Sequence, residues 1–497
     1  MVKNVGTVRS ASGQGRRAGG GVSPFAASAP SHTRGSPETV RDPYGKEGSD
    51  MGVGSEAIFQ QIRVQAAAME PELTALRRDL HRHPEPGWME FRSSARIARA
   101  LTEMGCDQVL VGASVCDRDS RLGVPPEAEL EARFREAEAS GADPAFLSQM
   151  AGGMTGVIGI LHCGPGPVVA LRFDIDALPV TEAEGPDHRP WALGFRSELP
   201  GVSHACGHDG HTAIGLGTAK LLCGLRAKLR GTVKFIFQPA EEGVRGAGAI
   251  VAKGHLDDVD LLLGAHLGGE PGQPDAIGVG PNRTLATSKL DVLFHGKAAH
   301  AALVPDAGNN AMLSAATAIL NLHAIPRFGA APTRVNVGRV SAGSGRNVIC
   351  DRALLELEVR GLTTEANEYM TDYAKRIVEA AARMHGCSCE IALQGQAAGD
   401  RNDPALCQRV LALCRDSLGL AVTELPEEPM GYISEDYSLL AARVRAHGGQ
   451  SCYFKNLTAC AAAIHDPRFD FPERALVAGV TAFAGLTAAL TAAGAGS

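Results

Sequence analysis

GPVVALRFDID, residues 166–176, is an apolar run that ends in Asp174 and Asp176. Two further apolar runs, GTVKFIFQPAEE (231–242) and VDLLLGAH (259–266), also end in acidic residues or a histidine. Helical patterns separate these runs along the chain. Short buried strands that alternate with helices predict an α/β fold, in which a mixed, mostly parallel sheet is flanked by helices.

The polar residues that end these runs are expected to meet in space. In an open α/β sheet, ligands bind beyond the carboxyl ends of the parallel strands. The segment HACGHDGHTAIG (204–215), which opens a helical stretch, is expected at the same edge. The side chains that end the three apolar runs are Asp174, Asp176, Glu241, Glu242 and His266.

The region from 286 to about 396 has a different pattern of elements. Its order is strand, helix, strand, strand, helix, strand, which is that of a ferredoxin-like α+β unit. We therefore expect a second domain inserted into the first. The predicted organisation is an N-terminal extension (1–55), a first catalytic part (56–285), the inserted domain (286–398) and a second catalytic part (399–497).

The composition excludes several classes of protein. A chain of 497 residues is longer than one hydrophobic core usually supports, so two domains are expected. The net charge of −7 gives no electrostatic reason to expect nucleic acid or an anionic membrane as a partner. No apolar run reaches the roughly 20 residues that span a bilayer. Residues 1–55 are rich in Gly, Ser, Pro and Arg, which predicts a disordered extension.

The cysteines indicate a reducing compartment. The chain has 12 of them at irregular spacing, and no secretory signal precedes them. They form no CxxC pair, which disfavours zinc-ribbon and thioredoxin-like folds. We therefore expect a cytoplasmic protein with free thiols.

Five side chains have the chemistry of metal ligands. Cys206 and His208 lie two residues apart in a loop that opens a helix, so both can point at one place. Thiolate and imidazole suit zinc, and imidazole with carboxylate also suits manganese. Glu242, His266 and His465 supply further donors of these types. Five donors exceed one tetrahedral ion, which predicts two divalent ions that share a ligand, an arrangement suited to hydrolysis.

Glu241, adjacent to Glu242, is the expected general base, which takes a proton from water and passes it to the leaving nitrogen. Each residue also has a plain structural interpretation when taken alone. A histidine at a strand end is commonly structural, and a glutamate pair before a helix complements the helix dipole. Supporting or capping roles are expected for Asp174, Asp176 and His211, and also for His204 and Asp209.

Two other enzyme classes compete with the metal hydrolase. A thiol amidase would use Cys206 as its nucleophile with His208 or His211 as base, but it leaves the later donors without a role. A zinc deaminase is suggested by HPE (83–85), but no PCxxC segment follows. A catalytically silent binding protein is the alternative from a different class, against which the intact Glu241 argues.

Six segments in order resemble the two-metal aminoacylase and carboxypeptidase family. That family includes hippurate hydrolases, indole-3-acetyl-amino-acid hydrolases and glutamate carboxypeptidases, and the resemblance covers roughly 60–490. The segments are RFDIDALP (172–179), HACGHDGH (204–211), FQPAEEG (237–243), GAH (264–266), HGKAAHA (295–301) and GSGRNVI (343–349). The charged insertion at 112–152 and the ending HDPRFDF (465–471) resemble a subgroup that cleaves p-aminobenzoyl-glutamate.

The resemblance implies a role for each matching residue. It implies two metal ions, zinc or manganese, held by Cys206, His208, Glu242, His266 and His465, with Glu241 as base. It implies that the inserted domain is a lid or dimerisation domain, whose His300 reaches into a neighbouring protomer's site to steady the oxyanion. Asn347 and Arg360 match the positions that hold the substrate carboxylate, for which a guanidinium is well suited.

The implied reaction is hydrolysis of the aryl amide of p-aminobenzoyl-glutamate, a breakdown product of folate, to p-aminobenzoate and glutamate. An aminoacylase or hippurate-type hydrolase is the alternative within the family. The implied assembly is a homodimer, or a heteromer with a homologous second subunit.

Overall fold

The computed structural model describes residues 53–492, apart from 282 and 428–432, and only the backbone of 53–55. The predicted extension, 1–55, therefore lies almost entirely outside the described residues. Its boundary is corrected at one point, because the first helix already begins at Val53. The helix predicted from about Ser55 thus begins two residues earlier.

The strands are short in the first half of the chain and longest in the inserted domain. They are β1 (Gln108–Val111), β2 (Val157–His162), β3 (Val168–Asp174), β4 (Thr232–Gln238), β5 (Leu261–Gly268), β6 (Ala276–Val279), β7 (Arg283–Thr284), β8 (Ala286–His295), β9 (Thr333–Ala342), β10 (Arg352–Gly361), β11 (Ser388–Ala397), β12 (Asp400–Arg401), β13 (Val422–Glu424) and β14 (Gln450–Leu457).

The helices lie mainly between these strands. They are α1 (Val53–Ala68), α2 (Glu70–Arg82), α3 (Phe91–Glu103), α4 (Glu127–Ala139), α5 (Pro144–Leu147), α6 (Arg189–Ala192), α7 (His208–Gly224), α8 (Ala247–Ala252), α9 (Ala311–His323), α10 (Thr364–Met384), α11 (Pro404–Ala412), α12 (Tyr437–Ala446) and α13 (Arg474–Ala492).

An eight-stranded mixed sheet forms the larger part of the molecule, in the order β1-β2-β4-β3-β5-β14-β6-β13. Its centre, β4-β3-β5-β14, is parallel, as the apolar runs predicted. The antiparallel pairs are β1–β2, β2–β4 and β14–β6. The parallel centre brings the carboxyl ends of β3, β4 and β5 to one edge, where the expected site residues follow them.

Helices cover this sheet and complete its core. Helix α7 packs on β3, β4 and β5, and α13 packs on α7 and β3. The small residues of α7 allow this close contact, since Gly215 lies against the rings of Phe173 and Phe237. The charged insertion at 112–152 joins the same core, because Leu130 and Met150 are buried in it.

Within the described residues, one helix is long and apolar enough to cross a membrane by length and composition. It is Arg474–Ala492, of 19 residues, and 83% of its apolar window is buried inside the fold. The helix packs against α1, α2 and α7, so its apolar composition is explained by its position in the core.

The inserted region has a sheet and a core of its own. Strands β8 to β11 form an antiparallel sheet in the order β11-β8-β10-β9, with α9 and α10 packed on it. This is the ferredoxin-like order predicted from the pattern. Its buried residues, from Leu290 to Ala382, form a cluster separate from that of the larger sheet.

Candidate active site

The loop before α7 presents two of the predicted metal ligands. Cys206 and His208 are both buried, and they flank Gly207, whose φ of 83° lies in the left-handed region. A side chain at Gly207 would meet only ordinary contacts, so the backbone angle is what favours glycine here. This turn lets His208 begin the helix while Cys206 stays at the carboxyl edge of the sheet.

The five predicted ligands come together as two overlapping groups. The potential ligand atoms of Cys206, His208 and His266 lie within 4.8 Å of one another, and so do those of Cys206, Glu242 and His465. Cys206 Sγ is 3.3 Å from His266 Nε2, and Glu242 Oε1 is 3.5 Å from His465 Nε2. Cys206 belongs to both groups, which is the position of a shared ligand between two ions.

Two ligand atoms in the centre lack a hydrogen-bond partner among the described residues. His208 Nε2 and Glu242 Oε1 are buried, and neither has a hydrogen bond within the described residues. Buried polar atoms are normally satisfied, and a divalent cation bound here would supply the partner that both atoms lack. The other nitrogens are already engaged: His208 Nδ1 donates to the carbonyl oxygen of Asp176 at 2.9 Å, and His266 Nδ1 donates to that of Leu267 at 2.7 Å.

The electrostatics also fit a cation. Burial and the neighbouring His211 lower the pKa of His266 well below its ordinary value, so this imidazole is neutral and able to ligate. Burial and the Glu242 carboxylate raise the pKa of the Cys206 thiol well above its ordinary value. A free Cys206 thiolate is therefore unfavourable, which disfavours the thiol amidase, whereas a bound cation would stabilise it.

The glutamate pair sits in a tight loop after β4. Asp176 holds this loop, because its two carboxylate oxygens accept the backbone N–H groups of Glu241 at 3.0 Å and Glu242 at 2.9 Å. Ala240 and Val244 have φ values of 51° and 59°, a conformation that non-glycine residues adopt only when their surroundings hold it.

Glu241 faces other carboxylates as well as the predicted ligands. It lies within 4.8 Å of Glu435 and Asp436, and its Oε2 is 4.0 Å from His208 Nε2. Burial and the charges of Glu435 and Glu242 raise the pKa of Glu241 well above its ordinary value. A carboxylate in such surroundings accepts a proton readily, as a general base must.

Asp174 and His211 support the centre from behind. His211 Nδ1 donates to the Asp174 carboxylate, while His211 Nε2 accepts the Leu267 backbone N–H at 2.8 Å. Both ring nitrogens are thus occupied, which favours the supporting role predicted for His211. Burial opposes the charge on Asp174, but His208, His211 and Arg172 hold its pKa well below the ordinary value.

Asp209 and His204 lie behind the same loop. Asp209 accepts hydrogen bonds from Arg77 at 2.7 Å and His81 at 2.8 Å, in a fully buried network. Burial lowers the pKa of His204 to about 4, and this ring is therefore neutral. Asp209 thus anchors α7 to α2 rather than contacting the predicted ligands.

The three predicted residues of the inserted domain lie apart from this cluster in a single chain. The Ala301 N–H donates to the carbonyl oxygen of Asn347 at 3.0 Å, which brings His300 and Asn347 together on an exposed surface. Arg360 Nε is paired with Glu358 at 3.0 Å. Across the described part of the chain, none of the three contacts the predicted ligands.

The sequence reasoning missed Glu435, Asp436 and Lys455. The two carboxylates bind the buried Arg172, at 2.9 Å and 3.1 Å. Arg172 within the apolar strand RFDID was the available signal, since a buried guanidinium needs carboxylate partners. Lys455 pairs in register with His266 on the adjacent parallel strand, a relation that no sequence pattern reveals.

Comparison with known proteins identifies related sequences. The sequence model of peptidase family M20/M25/M40 matches residues 170–489. The indole-3-acetyl-aspartic acid hydrolase of Enterobacter agglomerans is 43% identical over 83% of this chain and 94% of its own length. One of the subunits of the p-aminobenzoyl-glutamate hydrolase of Escherichia coli K12 is 42% identical over 84% of this chain and 95% of its own.

Solved structures show the same fold. An aminobenzoyl-glutamate utilization protein from Klebsiella pneumoniae aligns with a TM-score of 0.73 at 36% identity, over 86% of this chain and 98% of that one. A Bacillus subtilis protein described as a dinuclear metal-binding peptidase of the M20 family aligns with a TM-score of 0.57 at 29% identity, over 86% and 99%. The chain is thus similar along most of its length to hydrolases of amino-acid conjugates.

Proposed function

The chain belongs to peptidase family M20/M25/M40, and from this premise we propose that it hydrolyses the amide bond of p-aminobenzoyl-glutamate, releasing p-aminobenzoate and glutamate. The chain is an amidohydrolase acting on a C–N amide bond. The observation that carries the proposal is the pair of donor groups that share Cys206, with Glu241 beside them. The relatives' substrates, both amides of acidic amino acids, support the choice of substrate class.

The residues present suit two divalent ions, zinc or manganese. Cys206, His208 and His266 would contribute to one ion, and Cys206, Glu242 and His465 to the other. When bound, the ions polarise the amide carbonyl and lower the pKa of water. The dinuclear description of the B. subtilis neighbour supports two ions, and the mixture of sulfur, nitrogen and oxygen donors suits either metal.

Glu241 is proposed to move the proton. Its carboxylate takes the proton from the attacking water and passes it to the amide nitrogen, so that glutamate leaves with a neutral amino group while the acyl part becomes p-aminobenzoate. Asp176 fixes the backbone of Glu241 and so keeps its carboxylate beside the ligands.

The inserted domain is proposed to bind the rest of the substrate. Asn347 and Arg360 would hold the carboxylate of the amino-acid part, and His300 would reach the site of a second protomer to steady the oxyanion. The exposure of His300 and Asn347 in the single chain supports this arrangement. His300 Nδ1 accepts the N–H groups of Ala302 and Leu303, each at 3.2 Å, which leaves Nε2 as a donor. This role of His300 requires a second protomer, in a homodimer or in a heteromer with a homologous second chain.

A second candidate reaction is hydrolysis of indole-3-acetyl-aspartate. It is favoured by the relative from E. agglomerans, whose identity to this chain is as high as that of the E. coli relative. Both substrates join an aromatic acyl group to an acidic amino acid, so one carboxylate-binding surface serves either. The two candidate substrates differ in the acyl group and, by one methylene, in the side chain of the acidic amino acid.

A comparison of substrates tests the proposal. Purified protein loaded with Zn²⁺ or Mn²⁺ is incubated with p-aminobenzoyl-glutamate, indole-3-acetyl-aspartate and hippurate, and the products are separated by chromatography. We expect p-aminobenzoate release with the highest kcat/KM. Preference for hippurate would indicate a general aminoacylase, and binding without turnover would indicate a silent homologue. Glu241→Gln serves as the control, which should bind metal but lose about 10²–10⁴-fold in kcat.

A further inference from the structure

The loop that carries Glu241 and Glu242 touches the inserted domain. The backbone N–H of Gln396, near the end of β11, donates to the carbonyl oxygen of Val244 at 2.8 Å. Gly395 approaches so closely that a Cβ on it would overlap the carbonyl oxygen of Gly243. The edge of the second sheet therefore rests directly on the glutamate loop.

Arg245 joins the same loop to a third segment. Its Nε donates to the carbonyl oxygen of Glu242 at 2.7 Å, and its Nη1 donates to that of Gly123 at 3.0 Å. Gly123 belongs to the charged insertion, and a Cβ there would lie 2.5 Å from Arg245 Cδ and 2.8 Å from the carbonyl oxygen of Gln394. The insertion, the glutamate loop and β11 thus meet around one guanidinium.

These contacts complete the support of a strained backbone. Three buried carboxylates accept hydrogen bonds from its backbone N–H groups. Glu90 accepts the N–H of Ala240 at 2.7 Å, and Asp436 accepts the N–H of Ala247 at 3.0 Å. Asp176 accepts the N–H groups of Glu241 and Glu242. The carbonyl groups of the same backbone are held by Arg245 and β11. Left-handed non-glycine residues persist only when such surroundings fix them.

We propose that Arg245 and the contact of Gly395 and Gln396 with the loop position Glu241 and Glu242, so that the placement of the pair depends on the seating of the inserted domain. Arg245 is a positioning residue, since it touches the loop's backbone rather than the reacting atoms. The inference rests on the roles proposed above for Glu241 as base and Glu242 as ligand. The proton-moving carboxylate would then be fully in place only while β11 rests on the loop.

Gly395→Ala tests this coupling from the inserted domain, and Gly338→Ala is its matched control. Gly338 lies in β9 of the same sheet, and a Cβ there would have its nearest neighbours at 3.8 and 3.9 Å. Arg245→Met removes both side-chain hydrogen bonds, whereas Arg245→Lys keeps the charge and one donor. The readouts are kcat and KM, and the hydrogen–deuterium exchange of the amides in 240–247.

We expect Gly395→Ala and Arg245→Met to lower kcat at least about tenfold with KM within about threefold, and to speed exchange at 240–247. Arg245→Lys should recover part of kcat, and Gly338→Ala should match the wild type. Unchanged exchange with kcat within twofold in Gly395→Ala would overturn the inference, and so would equal losses in Gly338→Ala. If the wild type cleaved no conjugate, the proposed function would fail, while the exchange data would still decide the coupling.

Discussion

Asp176 holds three separate parts of the site through its carboxylate and its backbone carbonyl group. Its carboxylate holds the N–H groups of Glu241 and Glu242, and its carbonyl oxygen accepts from His208 Nδ1. Asp176 therefore fixes the backbone of Glu241 and Glu242, and it also fixes the ring tautomer of His208. Residues that orient metal ligands through hydrogen bonds strongly affect metal affinity and activity, even though they do not contact the metal.

Asp176→Asn tests this role. The amide keeps the size of the carboxylate but offers one acceptor oxygen, so one buried N–H loses its partner. We expect zinc affinity or kcat to fall about 10–100-fold, measured by calorimetric titration and steady-state kinetics. Asp187→Asn, at an exposed position, is the control and should change neither. Wild-type affinity and rate in Asp176→Asn would refute the assignment.

Asp470 stabilises the fold in a pH-dependent way. It accepts hydrogen bonds from Arg77 at 2.8 Å and from Arg189 at 2.5 Å. Burial alone would raise the pKa of Asp470, but the two guanidinium groups outweigh it and lower the pKa below 3.8. The ionised Asp470 carboxylate therefore stabilises the folded state above about pH 3.8. This contribution is lost as the pH falls through the lower pKa that Asp470 has in the folded protein.

Asp470→Asn should destabilise the protein by about 1.5–3 kcal/mol near pH 7, because it removes one of the carboxylates that pair with the buried Arg77 and the partly buried Arg189. The difference from the wild type should be smaller at about pH 3 than at pH 7, because the wild-type carboxylate gains protons as the pH falls toward its lowered folded-state pKa. Thermal unfolding at the two pH values measures it. Asp416→Asn, which removes an exposed ion pair with Arg415, should leave the melting temperature unchanged. A deficit that is equal at both pH values would contradict the charge argument.

At the scale of residues, the sequence indicated candidate ligands in two ways: metal-binding residue types are crowded together in 204–211, and others follow directly after the apolar strands. Cys206, His208 and Glu242 stood out in this way, and the structure brings them within reach of one another. Glu435 did not stand out, because its partner Arg172 is 263 positions away along the chain. The roles assigned to individual ligands stay predictions until variants are measured.

At the scale of elements, α7 depends on small residues where it meets the sheet. A Cβ on Gly215 would lie 2.7 Å from Phe237 Cε1 and 2.8 Å from Phe173 Cδ2. Neither ring has room to move, since both are buried in the core. Close helix–sheet contact is therefore specified by glycine at this position.

Gly215→Ala should lower stability by about 1–3 kcal/mol through overpacking. Gly224→Ala, in the same helix with no atom within 4 Å of the added Cβ, should be neutral or stabilising by up to about 1 kcal/mol. Chemical unfolding of the two variants separates the effects. The packing argument would be wrong if Gly215→Ala were as stable as Gly224→Ala.

The long central elements were predictable because their periodicity is strong. The apolar runs became β3, β4 and β5, and the β-α-β-β-α-β pattern became the four-stranded sheet. The short strands β1, β6 and β13 were missed because they have only three or four residues, too few to show a period. Their positions follow from tertiary pairing with longer neighbours.

At the scale of the whole molecule, the inserted domain presents predicted site residues that do not contact the predicted metal ligands of the same chain within the described residues. His300 and Asn347 are exposed, and so are Leu303, Leu313 and Leu320 nearby in the sequence. A partner protomer that receives His300 would explain this exposure. The sequence of a single chain gives no pattern for such a contact, because the residues would meet only in an assembly of two protomers.

Hybrid dimers test whether His300 acts across protomers. His300→Asn and Glu241→Gln should each be nearly inactive alone. In a hybrid dimer that contains one chain of each variant, one of the two sites should combine an intact Glu241 with an intact His300. Random pairing in a two-fold dimer makes about half of the dimers hybrids, so coexpression should restore about one quarter of wild-type activity. Purification with two different tags isolates the hybrid. Activity no greater than that of the single variants would show that His300 does not serve the partner's site.

The central claim is that hydrolysis depends on two ions held by a centre that shares Cys206. The most direct measurement is titration of chelator-treated apoprotein with Zn²⁺ or Mn²⁺, with bound metal and p-aminobenzoate release followed in the same samples. We predict no turnover without metal and a rise to a plateau at about two equivalents per chain, with Cys206→Ser impaired in binding both ions. Full activity in the metal-free protein, or a plateau at one equivalent, would contradict the account.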